Sequence, residues 1–251
     1  MLLVLPSYRV DLQPPFLLFA HGLGSRNPQA RSHLNDDWVQ VAAEAAKAAN
    51  ASFLTYTARG HGRSTGWESS AVTDPLQFTW ARLSEDMLST ADAQGLGAFV
   101  AGGNSMGSAT ALYCAMQHPD RVLGLVLVRL PTAWEERKAR RKHLLRSAER
   151  LRNESPDSIY PRVLEGATLS DLPEESSEEY AKVKCPVLIL AVENDDAHPL
   201  STAHVIHRLV PHSKMHVSST EEVAAEEFPP LIANFLNEIR SANTTGRQQI
   251  I

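Results

Sequence analysis

The sequence predicts an α/β fold: a mostly parallel, doubly wound sheet flanked by helices, with a small helical cap inserted between late strands. Three observations predict it. Short apolar runs alternate along the chain with stretches of helical periodicity. Strands separated by helices pair in parallel through crossover connections, and the sheet is then covered on both faces. One apolar run passes directly into Gly103-Asn104-Ser105-Met106-Gly107 and on into a helix of small residues. Finally, 251 residues with 43% apolar and 21% charged side chains suffice to bury a core without disulfide or metal staples.

The elements follow in order. Phe16-Leu17-Leu18-Phe19-Ala20 reads as a buried strand, ended by His21-Gly22-Leu23-Gly24-Ser25. Residues 38–49 are alanine-rich, with Trp38, Val41, Ala45 and Ala48 at helical spacing. Residues 51–57 form a second strand, closed by Arg59-Gly60-His61-Gly62-Arg63-Ser64, and residues 76–93 a helix. A third strand covers 98–101, and the helix over 106–117 stops at His118-Pro119. Residues 122–128 and 186–192 give two more buried strands, the second followed by a helix over 201–210. A last short strand covers 214–218, an amphipathic helix 228–240, and a polar, frayed tail 241–251.

One stretch breaks the alternation. From Pro131 to Lys184 no strand-like run occurs, which divides the chain into a core (1–130 and 185–240) and a helical cap or lid (131–184). Residues 137–152 carry eight Lys/Arg against one Glu, and residues 165–179 carry six acids and no base. Two readings fit: solvated faces that partly neutralise each other, or a basic lid that favours anionic substrates.

Composition excludes several function classes. The 24 basic and 29 acidic residues leave a net charge of −5, with no global positive field for nucleic acid. Cys114 and Cys185 are the only cysteines, too few for a disulfide framework or a CxxC zinc site. Met1-Leu2-Leu3-Val4-Leu5 is halted by Pro6 and lacks the basic flank and cleavage site of a signal peptide. No run of apolar residues is long enough to span a membrane. The expectation is a cytoplasmic protein acting on a small molecule, with its oligomeric state left open.

Gly103-Asn104-Ser105-Met106-Gly107 matches G-x-S-x-G between a strand and a helix, the context of a nucleophile elbow. The sharp turn forces the serine into a strained backbone conformation, and bulky neighbours would collide with it. The turn lifts the Ser105 hydroxyl above the sheet at a helix N-terminus, where negative charge is favoured.

With this motif the chain resembles the α/β-hydrolase superfamily, over roughly residues 16–240. Four segments in order carry the resemblance: His21-Gly22-Leu23-Gly24, Arg59-Gly60-His61-Gly62-Arg63-Ser64, the Ser105 elbow, and Glu193-Asn194-Asp195 after a late strand. The resemblance implies that the backbone N–H groups of Leu23 and Met106 form an oxyanion hole. It implies a triad in the chain order Ser, acid, His, with Asp195 as the acid and Asp196 as runner-up. It makes the segment around His61 a structural turn, and it implies no cofactor.

The histidine departs from the pattern. Similar proteins carry Gly-His shortly before the closing helix, whereas here the stretch reads Ser218-Ser219-Thr220-Glu221-Glu222-Val223. Of the five histidines after Asp195, His204, His207 and His212 read as surface residues, and His204 with His207 lacks a third metal ligand. Three readings stay open. His198, in the acid loop, is the base if that loop curls back; His216, inside the last strand, is the base; or no conventional base exists. Trp134 is the aromatic expected at the cap entrance, with Trp67, Phe78 and Trp80 as weaker pocket candidates. The leading function is a serine hydrolase cleaving a small carboxylic ester, thioester or lactone through an acyl-enzyme on Ser105. The alternatives are a hydrolase-fold binding protein without hydrolytic activity, or a lyase or isomerase that uses Ser105 as an anchor.

Overall fold

A computed structural model of the chain describes residues 14–23, 37–62, 64, 74–155 and 158–248. Its centre is a six-stranded sheet in the order β2-β1-β3-β4-β5-β6, all neighbours parallel. The strands are β1 (Phe16–Ala20), β2 (Ser52–Tyr56), β3 (Phe99–Asn104), β4 (Val122–Val128), β5 (Val187–Val192) and β6 (Ser213–Ser218). The helices are α1 (Asp37–Ala48), α2 (Trp80–Ala93), α3 (Met106–Gln117), α4 (Trp134–Glu154), α5 (Tyr160–Leu169), α6 (Leu200–Leu209) and α7 (Glu221–Gln248).

The inner strands are apolar on both sides because both sides are covered. Leu18 of β1, Leu125 and Leu127 of β4 and Ile189 of β5 face one way, against α2, α3 and α6. Their neighbours Leu17, Phe19, Val126, Leu188 and Leu190 face the other way, against α1 and α7. Burial of each such side chain contributes about 1.5–3 kcal/mol, so a slip of one residue in any strand would exchange one packed face for the other. The α/β doubly wound architecture is therefore the one that the sequence predicts.

Chain order reverses at β1. From there one connection leads outward to β2, and the next returns to β3 on the other side of β1. Ligand sites in such sheets form outside the carboxyl ends of the strands at this switch point. The loops after β1, β3, β4 and β5 all open on that rim.

Several boundaries differ from the sequence reading. β3 continues through Gly102 and Gly103 to Asn104, although glycine weakens strands. A Cβ at Gly102 would lie 2.9 Å from the Phe19 ring, so neighbouring side chains fill that space. The segment expected as one helix over 76–93 begins as a separate 3-10 turn, Pro75–Phe78, capped by Asp74, and Thr79 is extended before α2 starts. The closing helix starts at Glu221 rather than Phe228 and continues through 241–248, the segment read as a tail. Its start is capped: the Val223 N–H donates to Thr220 Oγ1 at 3.3 Å, and Glu221 and Glu222 complement the helix dipole. Pro229 and Pro230 lie inside this helix, where each removes a backbone donor. Phe228, Ile232 and Leu236 bury its face against the sheet and α1.

Residues 131–184 contain α4, α5 and a 3-10 turn (Glu178–Lys182), with no strand among the described residues. Leu144 and Ala148 of α4 pack on Leu164 and Ala167 of α5, and Leu23, Leu151 and Tyr160 close this small cluster. Acids of the second half meet bases of the first. Arg141 pairs with Asp171 at 2.7 Å and Arg152 pairs with Glu165.

Candidate active site

Ser105 is the single residue between β3 and α3, with φ 54° and ψ −115°. A non-glycine residue held there stores about 1–3 kcal/mol, and only surrounding structure maintains it. Here the packing is backbone on backbone. A Cβ at Gly103 would stand 2.2 Å from the Gly107 carbonyl carbon, and one at Gly107 would stand 2.1 Å from the Ala20 carbonyl oxygen. The glycines of the motif are thus the places where α3 touches β3 and β1 without side chains between them. The Ser105 N–H donates to Val128 O at 3.0 Å, and Ser105 O accepts from Ser108 N at 3.0 Å, which fixes the turn from both sides.

His198 Nε2 lies 2.7 Å from Ser105 Oγ. His198 Nδ1 lies 2.7 Å from Asp195 Oδ2. A separation of three residues permits this because the loop after β5 turns back on itself. The His198 N–H donates to Asp195 O at 3.0 Å, and the Ala197 N–H donates to Asp195 Oδ1 at 3.1 Å. An ionised Asp195 is an acceptor only, so Nδ1 carries the imidazole proton and Nε2 accepts from the Ser105 hydroxyl. Asp196 is exposed, and Asp195 is the acid that meets the ring.

His216, the other candidate base, lies elsewhere. Its Nε2 is 2.8 Å from Glu227 Oε2, and its ring stands edge-on to Phe228, so it faces α7. Between β6 and α7 only Ser219 and Thr220 remain, which leaves no room for the histidine loop of similar proteins. His207 meets Ser213 Oγ at 2.7 Å and His212 meets Cys185 O at 2.9 Å. Among the described residues, no group of three or more His, Cys, Asp or Glu side chains is placed to hold a metal ion.

Arg129 and its partner Glu221, which the sequence reading passed over, complete the arrangement. Arg129 directly follows β4 and donates to Asp195 Oδ2 from both Nε (3.0 Å) and Nη2 (2.7 Å). Its Nη2 also pairs with Glu221 Oε1 at 2.7 Å, and its guanidinium lies 5.3 Å from the Trp38 ring centroid. The available signal was a lone cation directly after an apolar strand, on the site rim. Burial opposes charge on Asp195, yet its bonds with His198 and Arg129 and their charges prevail and hold its carboxyl well below the usual range. Burial also lowers the pKa of His198. The hydrogen bond to Asp195 acts against that, while the charges of Arg129 and Arg140 reinforce it.

Leu23 and Met106 line the same cavity as Ser105. As the first residue of α3, Met106 has an N–H with no acceptor inside the helix. The Leu23 peptide is oriented from behind. Ala58 N–H donates to His21 Nε2 at 3.0 Å, so Nδ1 carries the proton and donates to Gly22 O at 2.8 Å. In a trans peptide the C=O and N–H point oppositely, and anchoring Gly22 O therefore fixes the direction of the Leu23 N–H. Tyr160 of α5 donates to Leu23 O. His61 stands edge-on to both His21 and Tyr160. Burial and the neighbouring His21 push its pKa down to about 3, so it stays neutral near pH 7.

The cavity has a volume of about 490 Å³. Trp38 and Trp80 line it, whereas Trp134, expected at the entrance, does not. The Trp134 indole instead donates to Pro173 O at 2.8 Å, because α4 begins beneath the 171–173 segment. Phe78 is buried in the core, and Trp67 lies outside the described residues.

Comparison with known proteins is consistent with this layout. An enol-lactonase from Burkholderia xenovorans LB400 superposes with a TM-score of 0.65 at 16% identity, covering 96% of each chain. A thermophilic esterase from Thermogutta terrifontis gives 0.66 at 19% identity, covering 95% of this chain and 93% of its own. A proline iminopeptidase from Mycobacterium smegmatis gives 0.64 at 18%, covering 96% and 95%. No curated protein matches the chain. The sequence pattern of the alpha/beta hydrolase fold matches residues 15–154, more than half of the chain, and so, with its elbow at the end of β3, the chain belongs to the α/β hydrolase fold family.

Proposed function

We propose that the protein is a serine hydrolase that cleaves a small carboxylic ester, thioester or lactone. Ser105 Oγ attacks the acyl carbon while His198 Nε2 takes its proton, and Asp195 stabilises the imidazolium. The Leu23 and Met106 N–H groups receive the oxyanion. His198 then protonates the leaving group, and water releases the acid from the acyl-enzyme through the same base. Residues 131–184 act as the cap over the core formed by 1–130 and 185–240, and the cavity suits a compact substrate.

The observation that carries this reading is the single imidazole in hydrogen-bond contact with both Ser105 Oγ and Asp195 Oδ2. The non-catalytic alternatives draw their support from the empty histidine position before α7. A base supplied by the β5 loop removes that support. The lactonase and esterase among the structural neighbours favour the same bond class.

The test is labelling with a fluorophosphonate, followed by peptide mass spectrometry, together with hydrolysis of p-nitrophenyl butyrate. Wild type is expected to be labelled on Ser105. Ser105→Ala is expected to abolish labelling, and His198→Ala to slow labelling and hydrolysis by roughly 10²–10⁴-fold. A folded wild type that neither reacts nor hydrolyses would sink the proposal, and so would labelling that is indifferent to His198→Ala but falls in His216→Ala.

A further inference from the structure

α4 turns a regular stripe toward the cavity: Arg137, Arg140, Leu144, Ser147, Arg150 and Leu151 line it, at spacings of three and four that define one helix face. The basic residues of this helix differ in their partners. Lys138, Arg141, Arg150 and Arg152 are paired, with Glu135, Asp171, Glu154 and Glu165 respectively. The two arginines at the head of the stripe have no carboxylate partner among the described residues.

Arg137 is only 3% exposed. Its Nε donates to Ser170 O at 3.1 Å and its Nη2 to Ala167 O at 2.5 Å. Its guanidinium lies 4.4 Å from the Trp80 ring centroid. The nearby acid, Asp171, is already taken by Arg141 and by the N–H groups of Trp134 and Leu172, both at 2.9 Å. Burial lowers the Arg137 pKa to about 10, so it is still charged at neutral pH. Arg140 is half-buried one turn further along. It makes no hydrogen bond or ion pair with any described residue, and its charge reaches His198. The acids that line the cavity are Asp37 and Glu221. They belong to α1 and α7, and Glu221 is held by Arg129.

A buried cation without a counter-charge is costly, and a second cation one turn away adds repulsion. Arg137 has a structural role through its two carbonyls. Arg140 has none that the structure displays, and it lines the cavity that holds Ser105 and His198, near enough for its charge to act on His198. A guanidinium presents a planar donor fork that fits a carboxylate.

We propose that the substrate carries, besides the acyl bond that Ser105 attacks, a carboxylate seated on Arg140 within the field of Arg137. This deepens the serine-hydrolase reading and rests on it.

The experiment compares matched esters that differ in one charge. p-Nitrophenyl hemiglutarate is set against p-nitrophenyl pentanoate for a carboxylate on the acyl side. 4-Carboxyphenyl butyrate is set against phenyl butyrate for one on the alcohol side. In wild type, the ratio of kcat/KM for charged over neutral ester is expected to reach roughly 10–100 in one pair. Arg140→Gln should bring that ratio close to one, and Arg140→Lys should fall between. Ratios near one in wild type for both pairs, or ratios unchanged by Arg140→Gln, would overturn the proposal. Glutarate binding, measured by calorimetry on wild type and Arg140→Gln, separates the two readings. If no ester is cleaved, the hydrolase reading fails, while binding to wild type that is lost in Arg140→Gln still upholds the anion site. If esters are cleaved without charge preference and glutarate does not bind, only the anion site fails.

Discussion

A carboxylate that orients an imidazole three residues away needs its own position fixed, and at Asp195 two contacts divide the task. The Ala197 N–H holds Oδ1 within the turn, while Arg129 holds Oδ2, the same oxygen that meets His198 Nδ1. The sign of the resulting pH dependence follows. In the proposed mechanism His198 acts as base only when neutral, so kcat/KM is expected to fall as pH drops through its pKa, which lies below the usual value of about 6.5. Asp195 is ionised throughout that window. Arg129→Gln keeps the positive φ of 50° but removes the cation. It is expected to move the acid limb of kcat/KM to higher pH and to lower the plateau about tenfold, since one charge-assisted pair to the acid is lost. Glu221→Gln is the control: Glu221 is 55% exposed, so removing its charge should change kcat/KM less than about threefold. A pH–rate profile of the three proteins checks this. A limb that stays in place in Arg129→Gln would mean that Arg129 only braces the loop.

At the scale of elements, the elbow depends on how closely α3 approaches the sheet. Gly107→Ala places a methyl carbon 2.1 Å from Ala20 O, so either β1 or α3 must move. The expected destabilisation is about 2–4 kcal/mol in a urea titration, at or beyond the upper end for overpacked cores. Gly97→Ala, where nothing lies within 4 Å, should change stability by less than about 0.5 kcal/mol. Equal effects would show that the close approach does not govern stability. The elbow and the β-α alternation were legible because each rests on a local pattern: runs such as Val122–Val128, buried along nearly their whole length, and glycines flanking one serine. The β6–α7 junction was not. The amphipathic stretch was read only from Phe228 onward, and the packing of Ala224 and Phe228 against the other face of the sheet shows why the helix starts seven residues earlier. His198 was legible as a candidate by its place after β5. Its partnership with Asp195 depended on a turn that the spacing alone did not specify. Arg129 and Glu221 are 92 positions apart in the chain and meet only because β4 and β6 end on the same rim, a relation that exists only in the folded sheet.

Across the whole molecule two electrostatic effects compete. The net charge of −5 repels an anionic substrate at long range, while Arg137 and Arg140 attract it once it is inside the cavity. Salt distinguishes them because the Debye length shrinks from about 30 Å at 0.01 M to about 3 Å at 1 M. If the net charge governed encounter, added salt would speed turnover of an anionic ester. If the α4 wall governs binding, salt weakens a half-exposed guanidinium–carboxylate contact and slows turnover. The second outcome is expected for the charged ester that wild type prefers: a drop in kcat/KM of roughly three- to tenfold between 10 mM and 1 M NaCl, as for a partly exposed ion pair. The neutral partner ester should change little, and Arg140→Gln should lose most of the salt dependence along with the preference. A rise in kcat/KM with salt for the charged ester would mean that the overall charge of the molecule outweighs the two arginines. In that case the cation stripe on α4 would be too weakly felt by the ligand to select it.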